Sequence, residues 1–183
     1  MNESDILEGP LCVLSIDPGQ SGAVCRLGRG RLDVLRDFKT GADIARAVRD
    51  LAGGVSHAIM ELVSAMPGQG VCSMFSFGRA AGAADGALAL ALPADVIVEE
   101  VAPQKWQNFF RELLQIPKEV DFDSREIAAK LLPASRPFLE RKKDHNTGDA
   151  LLLACWKILN PMVAPSRLLG EKPKRARRRP RAD

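Results

Sequence analysis

Three acidic residues lie in apolar stretches of the sequence, where burial of a charged carboxylate costs free energy. Asp17 ends the apolar run VLSI in the stretch VLSIDPGQSGAV, and Glu61 follows the apolar residues AIM. Asp149 lies three and four residues before Leu152 and Leu153, so it sits on or beside the apolar stripe of a predicted helix. A carboxylate in such surroundings is paired, hydrogen-bonded or bound to a metal ion.

Each of the three has a structural alternative. Asp17 could be a turn residue, Glu61 a solvent-facing charge at a strand end, and Asp149 a first-turn residue favoured by the helix dipole. Together, at two strand ends and one helix start, they instead predict a shared site. Clustered carboxylates repel one another, and hard oxygen ligands select Mg²⁺ or Mn²⁺. A metal site with few carboxylates and open water positions is typical of phosphoryl transfer.

The segment KKDHNTGD offers two further polar candidates before Asp149. Asn146, three residues earlier, is a poor metal ligand, whereas His145 lies four residues earlier and Asp144 five. The spacing leaves both Asp144 and His145 open, and Asp144 or Asn146 could instead cap the helix. A histidine here could shuttle a proton or help to place an attacking water.

Hydrophobic periodicity predicts the elements that would position these residues. The predicted strands are 11–16, 22–27, 31–36, 56–63 and 95–101. The predicted helices are 41–52, 71–91, 103–113, 123–132 and 146–159. An antiparallel meander followed by alternating strands and helices predicts an α/β fold, with a five-stranded mixed sheet flanked by helices on both faces.

The composition is that of a soluble globular protein. The 183 residues are 46% hydrophobic and 27% charged, and no apolar run approaches the length of a membrane span. The acidic start MNESDILEGP lacks the apolar core of a signal peptide. The four cysteines have no CxxC spacing, so we expect buried free thiols in a reducing compartment. They are Cys12, Cys25, Cys72 and Cys155.

The charge is distributed unevenly. Residues 171–183 carry a net charge of +5, whereas residues 1–170 carry −2. We expect one folded domain over 1–165 and a disordered basic tail over 166–183, because the tail has almost nothing to bury. Its arginines Arg177, Arg178 and Arg179 are candidate phosphate contacts. The alternative is a solubilising or targeting tail.

The segments VLSIDPGQSGA, IMELVSAMPGQG and KKDHNTGDALLLA resemble, in order and spacing, the motifs of RuvC-type Holliday junction resolvases, especially the phage- and plasmid-associated branch. The resemblance spans 11–159. It implies a ribonuclease H-like nuclease domain, a homodimer, and Mg²⁺ or Mn²⁺ as cofactor. The implied activity is the resolution of four-way DNA junctions in recombination and repair, by paired nicks that leave 5′-phosphate and 3′-hydroxyl ends.

The resemblance also assigns residues. It makes Asp17, Glu61 and Asp149 the metal ligands, and it adds Asp144 or His145 to the catalytic set. Asn146 departs from the pattern, since the family usually has Asp or His about one helical turn before the last aspartate. A cytoplasmic, nucleoid-associated protein of a bacterium or phage is implied, with no membrane partner.

Several side chains are candidates for DNA contact. Gln69 lies in a glycine-flanked loop that could approach a ligand closely, and Met66, Phe75 or Phe77 could wedge against bases. Alternatively, both phenylalanines belong to the core. Lys105, in a segment resembling the family's Pro-x-x-Lys region, is a candidate phosphate contact or a solvated helix-start lysine. The cluster Arg141, Lys142 and Lys143 adjoins the carboxylate motif and would attract a polyanion, unless it is a solvated loop.

The long alanine-rich helix carries Gly78, Gly82 and Gly86 at intervals of four residues. A glycine in a helix costs about 1 kcal/mol relative to alanine, so this strip should have a packing reason. The strip could pack on a second copy across a dimer axis, or on the sheet of its own chain.

Three other functions compete with junction resolution. The nearest is a ribonuclease H-like nuclease acting on flaps, forks or other branched DNA, since junction selectivity depends on dimer geometry. A small ATP-binding domain of the sugar-kinase type also opens with an aspartate after a strand, but it would need a second phosphate-binding motif and a longer chain. A DNA binder that does not cleave would have no use for three buried carboxylates.

Overall fold

A computed structural model describes residues 2–18, 22–62, 64, 68, 70–161 and, for the backbone alone, 167–168. Met66, Gln69 and the candidate phosphate contacts Arg177, Arg178 and Arg179 lie outside the described residues. The backbone of Arg167 and Leu168 pairs with an edge strand, while the rest of the tail remains a prediction.

The five predicted strands are confirmed and form one mixed sheet, which a short sixth strand extends. The strands are β1 (Val13–Asp17), β2 (Ala23–Gly28), β3 (Arg31–Arg36), β4 (His57–Glu61), β5 (Ile97–Val101) and β6 (Arg167–Leu168). Their order is β3-β2-β1-β4-β5-β6. The first three are antiparallel, β4 and β5 continue parallel to β1, and β6 returns antiparallel. The meander therefore supplies one half of the sheet and the crossover strands the other.

Six α-helices accompany the sheet in the described part of the chain. They are α1 (Glu3–Leu7), α2 (Gly41–Leu51), α3 (Val71–Ala91), α4 (Pro103–Leu113), α5 (Ser124–Leu131) and α6 (His145–Leu159). Two 3₁₀ turns, Pro133–Phe138 and Lys142–Asp144, lead into α6. The sequence did not predict α1, a short helix that a capping box between Asn2 and Asp5 begins and the buried side chain of Ile6 anchors.

The sheet separates two apolar cores. On one face, α6 lies along the sheet and packs with α1, α4 and α5, with Trp106, Phe110 and Trp156 among its large buried side chains. On the other face, α2 and α3 cover Leu14, Ile16 and Met60. Both faces are covered, so β1 and β2 are buried along their whole length. The predicted layer arrangement is therefore confirmed.

The expectation of buried thiols holds for three of the four cysteines. Cys12, Cys25 and Cys155 are buried, whereas Cys72 is exposed in the first turn of α3, where its neighbours Val71 and Ser73 are exposed as well. All four are free thiols. Over the described residues, no helix has the length and apolarity that crossing a membrane requires.

Candidate active site

The register of the parallel strands brings Asp17 and Glu61 to the same edge of the sheet. Ile16 pairs with Met60, so the next residue on each strand is one of the two acids. Neighbouring strands lie about 4.8 Å apart, and residues in register point to the same face. Because Ile59 faces the core beneath α6, Glu61 faces that side as well.

Helix α6 carries Asp149 to this edge. The Ser15 hydroxyl, two residues before Asp17, donates a buried hydrogen bond of 2.7 Å to the Ala150 carbonyl oxygen. This bond fixes the first turns of α6 against β1 beside Asp149. From the other side, α5 packs so closely that a Cβ on Gly148 would lie 2.8 Å from the Arg125 nitrogen. Only glycine therefore fits next to the acid.

The three carboxylates lie within electrostatic reach of one another. Burial raises the pKa of Asp17 well above its usual value, and the charges of Asp149 and Glu61 raise it further. Burial, with the charge of Asp149, raises the pKa of Glu61 to about 7. Burial likewise raises the pKa of Asp149 to about 6. The carboxylates therefore repel one another when they are ionised.

Within the described ranges, no group of three or more His, Cys, Asp or Glu side chains is close enough to form a ready-made metal site. The donor chemistry nevertheless fits a hard divalent cation. Asp17, Glu61 and Asp149 offer carboxylate oxygens only, and a cation would offset both the burial that raises their pKa values and the repulsion that adds to it at Asp17 and Glu61.

Two neutral side chains that the sequence did not single out as site residues contact the acids. The buried Trp106 donates its indole N–H to Glu61 Oε2 at 3.3 Å. The single proton of the Ser124 hydroxyl has two possible acceptors, the His145 carbonyl oxygen at 3.0 Å and the Asp149 carboxylate, and donation to Asp149 lowers the pKa of that acid. A buried tryptophan needs an acceptor for its N–H, which is the signal that could have found Trp106. No comparable signal marks Ser124.

Asp144 and His145 have different surroundings, although they are adjacent. The Asp144 carboxylate is buried and bound by two arginines: Arg141 donates from its backbone nitrogen, Nε and Nη2 at 2.6–2.8 Å, and Arg36 Nη1 lies 3.0 Å away. Burial alone would raise the pKa of Asp144, but these partners lower it. This geometry gives Asp144 a structural role at the start of α6.

His145 is exposed at the first position of α6, and its charge lowers the pKa of Asp149 one helical turn further on. Of the two candidates for a fourth polar group, His145 is therefore the one that the structure brings to Asp149.

The predicted basic cluster is already engaged within the chain. Arg141 Nη1 lies 2.7 Å from Asp37 Oδ2, and Lys143 Nζ donates to Asp37 Oδ1 at 2.8 Å. Lys142 between them is exposed. Lys105 is half-buried on α4, with its ammonium 5.8 Å from the centre of the Trp156 ring.

The phenylalanines of α3 are exposed, which excludes the alternative that they build the core. Phe75 retains 68% of its accessible surface and Phe77 38%, and Arg79 stacks on the Phe75 ring at 6.0 Å. Space is also open at the glycine strip of α3, since a Cβ built on any of its members meets nothing within 4 Å. The alternative that the strip packs on the chain's own sheet is therefore wrong.

Comparisons with known proteins give a match at the level of the fold. No family model matches the sequence, and no curated protein matches it. Among solved structures, Thermus thermophilus RuvC in complex with a Holliday junction substrate is similar over 82% of this chain and 94% of that chain, with 16% identity and a TM-score of 0.51. A second T. thermophilus RuvC structure covers 82% and 95%, with 15% identity and the same TM-score. These matches identify the fold of the chain as that of RuvC, the ribonuclease H-like fold that the sequence predicted.

Proposed function

We propose that the protein is a divalent-metal-dependent endonuclease that resolves four-way DNA junctions by paired nicks. One observation carries the proposal: three mutually repelling carboxylates, from β1, β4 and α6, share one edge of a RuvC-like sheet. Structural ion pairs do not explain these acids, because burial is the largest effect on the pKa of each and raises it, and like charge adds to the increase at Asp17 and Glu61. A solved RuvC binds a Holliday junction substrate on the same fold.

Asp17, Glu61 and Asp149 would hold Mg²⁺, or Mn²⁺ in its place. When bound, the metal supplies Lewis-acid stabilisation of phosphate charge and lowers the pKa of coordinated water.

The chain's own residues would orient the site and handle the proton. Trp106 fixes one oxygen of Glu61 through its indole N–H, which leaves the other oxygen available. Ser124 and Ser15 hold the first turns of α6, so the position of Asp149 is set by two neighbouring elements. His145 is the one imidazole beside the acids in the described part of the chain, and a ring nitrogen would accept the proton of the attacking water.

DNA would approach across the start of α6 and the first turns of α3. Phe75 is exposed near the start of α3, and Arg79 stacks on its ring. An exposed aromatic side chain with a cation on its face can stack on an unpaired base near a branch point. Lys105 is the candidate phosphate contact on α4, and Lys142 is the candidate on the approach to α6.

Paired nicks need two sites, and α3 offers a surface for a second copy. Gly78, Gly82 and Gly86 form an open strip along α3, which continues to Leu90, a residue that is 90% exposed. Helices with small residues at the contact can approach closely, and a symmetric dimer would place the same face of both copies together. The glycines would thereby gain the packing reason that the single chain does not give them.

The test is incubation of the protein with a synthetic four-way junction and with a linear duplex of matched sequence, in Mg²⁺, in Mn²⁺ and in EDTA. We expect symmetric nicks in the junction only, with ligatable 5′-phosphate ends and no cleavage in EDTA. Equal cutting of the duplex would reduce the function to a general nuclease. Cutting of flaps or forks in preference to the junction would favour the alternative branched substrates.

A further inference from the structure

The carboxylate of Asp37 lies between two cationic side chains, those of Arg141 and Lys143. Arg141 Nη1 contacts one of its carboxylate oxygens at 2.7 Å, and Lys143 Nζ contacts the other at 2.8 Å. The three side chains are between 39% and 58% exposed, so the ion pairs face solvent. Each oxygen has a separate cation, which is the arrangement that the oxygens of a phosphodiester would also satisfy.

Arg141 is fixed in this arrangement before any ligand arrives. Its Nε and Nη2 bind the buried carboxylate of Asp144 at 2.8 and 2.6 Å, and Arg36 holds the same carboxylate from the other side. Only Nη1 is directed to Asp37. A guanidinium whose inner atoms are anchored loses little conformational entropy when its outer atom changes partner.

The backbone at Asp37 is also specialised. Its φ of 63° lies in the left-handed region, which Asp and Asn adopt more readily than other residues that have a side chain. This turn directly follows β3 and projects the carboxylate towards the 3₁₀ turn before α6.

We propose that Arg141 and Lys143 form a binding site for one backbone phosphate of the DNA, and that Asp37 occupies this site as an internal phosphate mimic until DNA displaces it. The inference rests on the proposed function, since it concerns the same DNA. Lys143 lies six residues before Asp149, in the 3₁₀ turn that leads into α6.

The mimic has a physical consequence for selectivity. A DNA phosphate must displace the Asp37 carboxylate before it can contact Arg141 and Lys143. This competition lowers the affinity for a linear duplex that has few other contacts with the protein. A junction arm held also by contacts elsewhere makes the exchange at high local concentration. Asp37 thereby opposes binding of ordinary duplex more than binding of the branched substrate.

The test compares Asp37→Asn with Asp50→Asn. Asparagine keeps the shape and tolerates the left-handed backbone, so the fold should persist. Asp50 is the matched control, because it forms an exposed pair with Arg49 at 2.8 Å on α2, across the sheet from α6, and its substitution changes the net charge equally. The measurement is the Kd for a linear duplex and for a four-way junction, in EDTA, at several salt concentrations, with the melting temperature of each protein.

We expect Asp37→Asn to bind the duplex about threefold or more tightly than Asp50→Asn, and to show a smaller preference for the junction. Adding Lys143→Ala to Asp37→Asn should remove most of this gain, because the freed cation is then absent. Equal Kd values for the two single variants, or weaker binding with a lower melting temperature for Asp37→Asn, would show a structural ion pair and overturn the inference. Failure of the wild-type protein to bind any DNA would reject the proposed function, and this inference with it.

Discussion

At the scale of single residues, the candidate site is a set of charges whose environment opposes their ionisation. Asp17 is buried at a strand end, and its nearest charges are acidic. Asp144 is also buried, but it lies between two arginines, which lower its pKa. Two buried aspartates thus differ in the charge around them, and that difference separates a candidate ligand from a structural residue.

Substitution of Asp17 by asparagine tests the central carboxylate. The amide keeps the shape of the side chain but removes the negative charge, so we expect cleavage of the junction to fall by at least about a hundredfold while junction binding in EDTA stays within about threefold. Gel assays of nicking and of binding check both quantities. Asp33→Asn serves as a control, since Asp33 pairs with Arg26 on the antiparallel part of the sheet. Undiminished cleavage by Asp17→Asn would remove the residue from the site.

The raised pKa values predict how the metal-free protein responds to pH. Glu61 has a folded pKa of about 7 and Asp149 of about 6, both above the usual values of their types. The folded state therefore binds these protons more tightly than the unfolded state does. Stability from this cluster is present at low pH and is lost as the pH rises from about 4 to about 7.

We expect the metal-free wild-type protein to melt lower at pH 8 than at pH 5.5, with the cluster contributing on the order of 2 kcal/mol to the difference. Asp17→Asn should reduce this pH dependence, because one repelling charge is gone. Millimolar Mg²⁺ should raise the melting temperature of the wild type at pH 8 and have little effect on the variant. Equal responses of both proteins to pH and to Mg²⁺ would contradict the carboxylate cluster.

The three acids could be found from the sequence because each lies in an apolar segment, where burial of a charged side chain costs free energy. Their serine partners could not, because Ser15 and Ser124 are ordinary strand and helix residues in the sequence, and only the docking of α5 and α6 brings them beside the acids. Trp106 has the signal of a buried indole N–H, but only the docking of α4 shows that its acceptor is Glu61. The choice between Asp144 and His145 also depends on Arg36, which lies more than a hundred residues away along the chain.

At the scale of elements, the sequence predicted the ends of the strands and long helices to within about two residues. The prediction succeeded there because the hydrophobic periodicity and the flanking turn residues indicate the same boundaries. The final helix was predicted from 146 and begins at His145. Helix α1 was missed, since five residues carry too little periodicity, and tertiary burial of Ile6 stabilises it. The two-residue strand β6 could not be predicted either, because it exists only through pairing with β5.

Gly148 lies where α5 packs against α6, directly before Asp149, so this contact sets the position of that acid. Its would-be Cβ meets backbone atoms of Ser124 and Arg125 at 2.8 Å, and backbone cannot rotate away as a side chain can. We expect Gly148→Ala to destabilise the protein by about 1–3 kcal/mol and to lower cleavage by displacing Asp149. Thermal unfolding and nicking rates measure the two effects.

Gly53→Ala is the matched control for this substitution. A Cβ on Gly53 meets nothing within 4 Å, so its stability should stay within about 1 kcal/mol of the wild type. A Gly148→Ala protein as stable and active as the Gly53→Ala protein would show that α5 and α6 can separate without affecting the acids.

At the scale of the whole molecule, the open strip on α3 predicts a dimer that a single substitution can break. Gly82 is exposed and an added side chain meets no neighbour within the chain. We expect Gly82→Arg to keep the fold, because helical glycine is the less favourable residue by about 1 kcal/mol. Sedimentation should show a wild-type dimer and a monomeric variant, and the variant should lose paired nicking. A monomeric wild type, alone and on DNA, would exclude this interface.

The bond between Ser15 and Ala150 spans 135 residues of chain. During synthesis, Asp17 and Glu61 leave the ribosome long before α6 does. At about 5–20 residues per second, synthesis of the 88 residues from Glu61 to Asp149 takes roughly 4–18 s. Throughout that time the nascent chain has strand ends without their third acid. The proposed nuclease would therefore be unable to cut DNA until its last helix docks, so the order of elements along the chain would delay the proposed activity.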